Sequence, residues 1–582
     1  MDTSSKKTNS IINKLIAKFE ITKQKILISV LTGFSVPFLL LICSAFSVYF
    51  SNAEELGFSV GDFAPFFLFT SAVVFVAITA VLILTKNKFH NLIFSLCAGL
   101  VICGYIQTLV TTLTFQGLPG DGNTTSPSKS KIIINLLLWL AVFAVIIWFC
   151  VISSKAKTGK KVVSVLLVFA FVSQLFSFIP SAISFATDSS KKEPVNMYLT
   201  TENIYEISEN DNIFVFVLDR FDAEYYEELA EAYPEVISEL DGFTYYDDNV
   251  SKYPRTYPAI TYMLTGVEND FEAERSGYFE KAYSSSTFLK DLQDNNYKIN
   301  LYIPFYYTYT DADILSDYAS NTSELNGHSI SDSRQFTKNM ILLSSYFWLP
   351  DKLKSRTISS NKFNESVVFE GDAPEYSMNS SSDSKLYANL LNNGFSSQNE
   401  QNTFTFLHIR GCHPPYTTDE NCVYRKGESI KSVQQTRGSF SIICEYIKEL
   451  KKKGLYEDAT IIITGDHAAI SSDSQAYDSP KLTTLLVKES GKSDTPLVTS
   501  HAPVSQDNLL ATIIKSAGIK TEHDYGKAFC EVAEDEAVTR VHSFQKVNPG
   551  TSANTNITYE ITGSARDFSN WKITETKENK YK

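Results

Sequence analysis

Residue types that could do chemistry fall at three places in the chain. The first is Lys252–Gly266, KYPRTYPAITYMLTG, where the hydroxyl of Thr256 is followed by Pro258 and an apolar run. Proline suits the first turn of a helix, where its missing N–H costs nothing. Thr256 is therefore predicted at a helix N-terminus, where free amides and the helix dipole favour an anion. A hydroxyl there can attack phosphorus or sulfur once its pKa is lowered. The second place is Leu218-Asp219-Arg220-Phe221-Asp222, and the third is Gly465-Asp466-His467; each follows an apolar run. Asp219, Asp466 and His467 offer two carboxylates and an imidazole. With Thr256 they make a four-ligand set for a borderline-soft divalent ion such as zinc. Asp222 is a weaker candidate, because its spacing from Asp219 suits a helix face equally well. Taken alone, each place also admits a purely structural role, such as Thr256 capping a helix.

In this chain order the stretches resemble the signature of the sulfatases and related alkaline phosphatase superfamily enzymes: nucleophile, any residue, Pro, small residue, then a hydrophobic pair and Thr-Gly. Thr256, Pro258, Ala259, Met263, Leu264, Thr265 and Gly266 fall on it. Two positions depart from it. Sulfatases carry a Cys or Ser that is oxidised to formylglycine, an aldehyde Thr256 cannot yield, and they carry an Arg where this chain has Ile260. Thr is the nucleophile of the phospho-transferring members: lipoteichoic acid synthases, lipid A phosphoethanolamine transferases and nucleotide pyrophosphatases. The resemblance implies a metal site of Asp219, Thr256, Asp466 and His467. Many membrane-bound relatives have Glu at the first of these positions. A further stretch, His408-Ile-Arg-Gly-Cys-His413-Pro-Pro-Tyr416, resembles the phosphoethanolamine transferase pattern in which the second His contacts the phosphoryl group. It implies His413 in oxyanion contact or leaving-group protonation, with His408 as a supporting substrate-side residue. A structural His pair packing a Pro-rich turn is the competing reading. Arg410 falls on the other strand face from His408 and reads as structural. His501, ahead of a helix, is a candidate second-metal ligand. No well-placed Asp-x-x-x-His set accompanies it, so one divalent metal, zinc or manganese, is expected.

The elements that must position these residues form two classes. Apolar runs at about Ile26–Phe50, Pro65–Leu84, Leu92–Phe115, Ile132–Ile152 and Val162–Ser184 are each near the roughly 20 residues that cross a bilayer. The first is too long for the apolar part of a cleaved signal. Lysines concentrate before the first run (Lys6, Lys7, Lys14, Lys18, Lys23, Lys25), between the second and third (Lys86, Lys88), and between the fourth and fifth (Lys155, Lys157, Lys160, Lys161). The first connection carries Glu54, Glu55 and Asp62. With the N-terminus cytoplasmic, all three basic segments lie on the cytoplasmic side and everything after the fifth span lies outside. Lys129 and Lys131 in the third connection are a minor dissent.

After a polar stretch, apolar strands alternate with amphipathic helices: Ile213–Leu218, Glu224–Ala232, Gly242–Tyr246, Thr256–Leu264, Thr287–Asp294, Ile299–Ile303, Thr403–His408, Ser432–Lys452, Ala459–Thr464, Leu482–Lys488 and Ser505–Ala517. Alternation of this kind predicts an α/β domain with a mainly parallel sheet. Ligands in such domains bind at the carboxyl ends of strands, where Asp219, His408 and Asp466-His467 fall. The expected organisation is a membrane domain of five spans (1–186), a linker (187–211), a sulfatase-like catalytic domain (212–535) and a small C-terminal β extension (536–582). Residues 305–400 read as an insertion, and Asn339–Lys354 within it as a core helix, with a helix on the membrane surface or one roofing the site as the alternatives. Of the eight cysteines, four lie in apolar runs. Cys412, Cys422, Cys444 and Cys530 lie in the outer part, where Cys412–Cys422 is the expected disulfide, against free thiols.

The net charge of −13 speaks against a nucleic-acid binder. The resemblance and the membrane anchor together imply a plasma-membrane enzyme with its catalytic domain extracytoplasmic. It would move a phospho-head group from a phospholipid donor to a cell-envelope glycan or lipid through a phosphothreonine. The alternatives are a sulfatase-like hydrolase acting on exported polysaccharide and a non-catalytic envelope polymer-binding protein.

Overall fold

The computed structural model describes residues 17–52, 58–114, 129–187, 197–271, 275–304, 312–324, 327–354, 367–370, 376, 378, 381–469, 477–547 and 553–580. Lys6, Lys7, Lys14, Glu54, Glu55 and most of the third connection, on which the predicted orientation draws, lie outside these residues. The chain forms two compact units: residues 1–193 with 330–368, and residues 194–329 with 369–582.

The first unit contains five helices long and apolar enough to cross a membrane: α1 (Lys23–Phe50), α2 (Val60–Leu84), α3 (Asn87–Leu109), α4 (Lys129–Ile152) and α5 (Ala156–Thr187). Their inward faces meet in a core that includes Val36, Leu39, Leu82, Phe94, Val101, Ile146 and Leu167. Side chains such as Phe69, Val76, Leu140, Val165 and Phe176 point outward and exposed. Such a surface is stable only against lipid. The protein is therefore membrane-anchored.

The second unit is built on a seven-stranded sheet. Its strands, in chain order, are β1 (Asn212–Leu218), β2 (Thr244–Tyr246), β3 (Tyr297–Tyr302), β4 (Asn402–Ile409), β5 (Thr460–Gly465), β6 (Leu485–Lys488) and β7 (Val498–Ser500). They lie in the order β7-β2-β6-β5-β1-β4-β3. All neighbours are parallel except β6, which runs antiparallel to both β5 and β2. Every residue of β1 is buried, as a continuous apolar run requires when helices cover both faces of the sheet. Phe214, Phe216 and Leu218 face one core with Phe440, Ile443, Tyr446 and Leu450 of helix α11 described below. Ile213, Val215 and Val217 face the other, with Ile260, Met263, Leu264, Leu509 and Ile513. Burial of each such large apolar side chain contributes about 1.5–3 kcal/mol.

Seven further helices matter here: α6 (Ala223–Ala232), α7 (Thr256–Thr265), α8 (Ser333–Ser345), α9 (Asp351–Lys354), α10 (Ser382–Asn393), α11 (Ser432–Lys453) and α12 (Leu509–Ser516). The C-terminal residues form an antiparallel sheet of β8 (Thr539–Val547), β9 (Ala553–Thr562) and β10 (Trp571–Lys580). This sheet is pinned to the segment that leads to Thr256. Buried Arg540 pairs with buried Asp248 at 3.0 Å, and His542 Nδ1 donates to the Ser251 carbonyl at 2.7 Å.

Three expectations are corrected. The segment read as a linker contains two short strands, Met197–Leu199 and Glu206–Ser208, paired respectively with Thr322–Glu324 and Ser396–Gln398. The stretch Asn339–Lys354 is not one continuous core helix. It is split between α8 and α9, and both belong to the first unit. Finally, Cys412 and Cys422 form no disulfide; all four cysteines of the second unit are free thiols. Cys412 and Cys422 are buried as small apolar side chains in one core, with the Cys412 sulfur 3.2 Å from the Thr436 hydroxyl.

Candidate active site

Parallel register gathers the site. Gly465 and Ile409 both pair with Leu218, so β5, β1 and β4 end at the same level. The chain leaves them as Asp466-His467, Asp219 and Arg410, with His408 one residue inside β4. The ligand atoms of Asp219, His408 and Asp466 all lie within 4.8 Å of one another, and all three residues are buried.

Backbone contacts hold this corner together. Asp466 Oδ1 accepts from the N–H of Arg220 at 2.8 Å and of His467 at 2.9 Å. Arg220 achieves this with φ of 65°, a left-handed conformation that turns its amide toward Asp466. Asp222 caps α6 by accepting from Glu224 N at 3.0 Å, and its second oxygen accepts from Ala469 N at 3.0 Å. Both its oxygens are thus committed to shaping the turns. Gly465 is required for the approach: a Cβ there would sit 2.6 Å from the Phe221 carbonyl oxygen.

Thr256 is the first residue of α7, and its Oγ1 lies 3.4 Å from His467 Nε2. His467 Nδ1 donates to the Ala468 carbonyl at 2.8 Å. Its Nε2 is therefore the unprotonated nitrogen, 3.5 Å from Asp466 Oδ2 and 3.8 Å from Asp219 Oδ1. His408 Nε2 lies 3.9 Å from Asp466 Oδ2. The structure thus brings Asp219, Thr256, Asp466, His467 and His408 into one cluster, and His408 sits nearer the acids than the sequence implied. His413 lies on the turn after β4, which is tied to Asp219 by a bond from Cys412 N to the Asp219 carbonyl at 3.0 Å.

The electrostatics favour a cation. Burial, and next the Asp466 charge, push the Asp219 carboxyl well above its usual value, against the opposing pull of Arg410 and Arg220. Burial alone would raise Asp466 as well. His467, His408 and the bonds from Arg220 N and Thr256 bring it below its usual value instead. Burial lowers His408 to about 4 and lowers His467 too, so both rings are neutral. Asp219 Oδ1 and Asp466 Oδ2 are buried without a hydrogen-bond partner. Buried carboxylate oxygens are strongly unfavourable unless paired. Two such oxygens beside neutral imidazoles fit a divalent metal ion.

The turn after β4 is held by residues the sequence reading did not single out. Gly411 has φ of 53°, and a Cβ there would lie 2.6 Å from Leu218 Cβ and 2.9 Å from Asp219 N. Buried Asp383 of α10 accepts from Arg410 N, Gly411 N and Ser439 Oγ at 3.0, 3.1 and 2.6 Å. Buried Gln435 of α11 donates to the carbonyls of Gly411 and His413 at 2.8 and 3.1 Å. It also accepts from Thr417 N and Thr418 N at 2.8 and 3.3 Å. Gln506, just ahead of α12, donates to the Asp466 carbonyl at 2.8 Å and accepts from Lys252 N at 2.9 Å, linking the acid turn to the approach to Thr256. Their one signal in the sequence is a polar residue on a face that is otherwise apolar.

His413 is pushed down to about 3, first by burial and then by Arg410, Arg220 and His467. Its Nδ1 lies 2.5 Å from the Pro414 carbonyl, which leaves Nε2 unprotonated. Arg410 is buried, with Nη2 3.4 Å from the Pro415 carbonyl. Ile260 is fully buried in the core. His501 stands elsewhere: it is exposed, with Nδ1 3.0 Å from both Asp247 carboxylate oxygens.

The corner brings two acids and imidazoles at strand ends beside a hydroxyl at a helix N-terminus, and Asp219, His408 and Asp466 could hold a metal ion. The chain belongs to the sulfatase family, whose model matches residues 211–519, and its α/β unit is an enzyme domain. Comparison with curated proteins finds no match. Among solved structures, it is similar to the lipoteichoic acid synthase LtaP from Listeria monocytogenes (11% identity, 60% of this chain and 81% of the other, TM-score 0.34). It is also similar to the phosphonate monoester hydrolase SpPMH from Silicibacter pomeroyi (15%, 62% and 88%, TM-score 0.36). A third is an alkaline phosphatase superfamily protein from Vibrio parahaemolyticus (12%, 67% and 88%, TM-score 0.37).

Proposed function

We propose that the protein is a membrane-anchored, metal-dependent transferase. It takes a phosphoglycerol- or phosphoethanolamine-type head group from a phospholipid and delivers it to a cell-envelope glycan or lipid. The observation that carries this reading is the Thr256 hydroxyl, 3.4 Å from His467 Nε2 and beside two buried acids with unpartnered oxygens. A threonine cannot become formylglycine, so the chemistry open to it is direct attack by its own hydroxyl, here taken to be on phosphorus. Asp219, Asp466, His467 and Thr256 would hold one divalent ion, zinc or manganese, with His408 beside them. When bound, that ion supplies the positive charge that favours an ionised hydroxyl and offsets phosphate charge.

The chain's own residues do the rest. Thr256 Oγ1 gives up its proton and attacks the phosphodiester in line, the P–O bond to the lipid alcohol breaks, that alcohol leaves with a proton taken from solvent, and a phosphothreonine still esterified to the head-group alcohol remains. The positive charges of Arg220 and Arg410, which act on the neighbouring Asp219, would favour an anion bound beside it. His413 is neutral with Nε2 unprotonated, which suits acceptance of the proton of the incoming acceptor hydroxyl in the second step better than donation to the leaving group. The lysine pattern favours an extracytoplasmic catalytic unit, where such lipids and acceptors meet.

The test uses the full chain in detergent with vesicles of phosphatidylglycerol or phosphatidylethanolamine. The peptide carrying Thr256 is expected to gain the mass of the donor's phospho-head group. Thr256→Ala should lose turnover by about 1,000-fold or more, and Thr256→Ser should retain part of it. No increment with either lipid, together with full activity in Thr256→Ala, would remove the reading. A second reading, hydrolysis of an exported ester, is favoured by family membership. It predicts the same labelled threonine, discharged by water with no acceptor present.

A further inference from the structure

The membrane unit holds a cluster of buried polar side chains that has no part in the site above. Gln107 on α3 and Asn135 on α4 are both buried. Gln107 Nε2 donates to Asp351 Oδ1 at 2.9 Å, and Gln107 Oε1 accepts from Asn135 Nδ2 at 2.8 Å and Trp139 Nε1 at 3.0 Å. Asn135 Oδ1 accepts from the Asp351 amide at 3.1 Å. Lys354, itself buried, places Nζ 3.5 Å from Asp351 Oδ1 and 5.1 Å from the centre of the Tyr346 ring. Asp351 and Lys354 belong to α9, far along the chain from the spans and reached only after the chain has entered the catalytic unit. By the division at 193/194, 329/330 and 368/369, the chain passes between the two units three times.

Amides and a carboxylate in an apolar bundle are costly unless they satisfy one another. Here each is satisfied across the junction. Without α9, Gln107 and Asn135 would lose their partners from Asp351. Apolar contacts extend the seam. Phe336 of α8 meets Phe58 edge-on, with ring centroids 4.8 Å apart. Gly104 of α3 leaves room for Trp348, whose Cβ would lie 3.5 Å from a Cβ placed on that glycine. Small residues of this kind let helices approach closely in membranes.

We propose that residues 330–354 are a second, non-covalent anchor. They dock into the membrane bundle through the Gln107–Asn135–Asp351 junction, so that the catalytic unit stays bound when the chain is cut after α5. The partner of this surface is the chain's own bundle, and the proposal is independent of the reaction catalysed.

The test places a protease site between residues 188 and 196 of the full chain and an affinity tag at the N-terminus. After cleavage in membranes, the catalytic fragment should remain in the pellet. After solubilisation in a mild detergent it should co-elute with the tagged bundle. The double variant Gln107→Leu, Asn135→Leu leaves the catalytic unit untouched and should cut co-elution at least about tenfold. Uncut protein in the membrane fraction checks that the variant is inserted. Phe336→Asp, from the other side of the seam, should act in the same direction. The proposal is overturned if the fragment appears in the supernatant. It is equally overturned if the fragment pellets without co-eluting, which would mean lipid rather than the bundle holds it, or if both variants co-elute as wild type does.

Discussion

Replacing Asp219 by Asn should make the metal-free protein more stable and the metal-loaded protein less so. In the absence of a cation, two carboxylates face each other with ligand atoms within 4.8 Å. At an effective dielectric of about 20, two unit charges at that distance repel by roughly 3.5 kcal/mol. Arg220 and Arg410 offset part of this, and protonation of Asp219 limits the remainder. A net relief of about 1–2 kcal/mol is therefore expected in Asp219→Asn, which keeps the shape and removes the charge. With metal at about 100 times its Kd, the wild type gains about 2.7 kcal/mol. A variant binding about 100-fold more weakly gains under about 0.5 kcal/mol at the same concentration. The order of stability should thus reverse between chelator and saturating zinc or manganese. Thermal unfolding of the detergent-solubilised chain, followed on the catalytic-unit transition, reads this as shifts of roughly 2–4 °C per kcal/mol. The reasoning fails if Asp219→Asn is less stable than wild type in chelator, or gains as much from metal as wild type does.

Other perturbations reach the scaffold around the site. Burial pushes the His542 imidazole down to about 4, whereas an unfolded histidine titrates near about 6.5. The folded state therefore resists protonation, and stability is complete above about 6.5 and lost as the pH falls toward about 4. Between pH 7 and pH 5 the wild type should lose about 2 kcal/mol more than His542→Gln in denaturant titrations. Gly411→Ala places a Cβ against Leu218 and Asp219 N in a left-handed turn, at a cost of roughly 2–4 kcal/mol. It should lower both the unfolding midpoint and metal affinity. Gln435→Leu strips partners from two carbonyls and two amides of the His413 turn. Labelling of Thr256 should slow about tenfold or more while metal affinity, measured by calorimetry, stays within about twofold.

Much of the fold could be read from local pattern. The run Ile213–Leu218 could only be a strand covered on both faces, and β1 is one. The alternation after it set the α/β class, and five uninterrupted apolar runs set the anchor. Thr256 fell at a helix start because Pro258 has no amide to lose. These are properties of neighbouring residues, and neighbours in sequence fix them. Motif and resemblance had already grouped Asp219, Thr256, Asp466 and His467; what they left open was which further distant residues join them. Parallel register between β1, β4 and β5 put His408 with the acids, and no spacing along the chain carries that information. Gln435, Asp383 and Gln506 looked like ordinary polar residues until their hydrogen bonds to the turns were seen. The cysteines of one core proved to be fillers and not a bridge. Asn339–Lys354 carries the apolar pattern of any buried helix. Its home in the membrane unit depends on Gln107 and Asn135, whose amides find their partner only after the chain has folded back on itself.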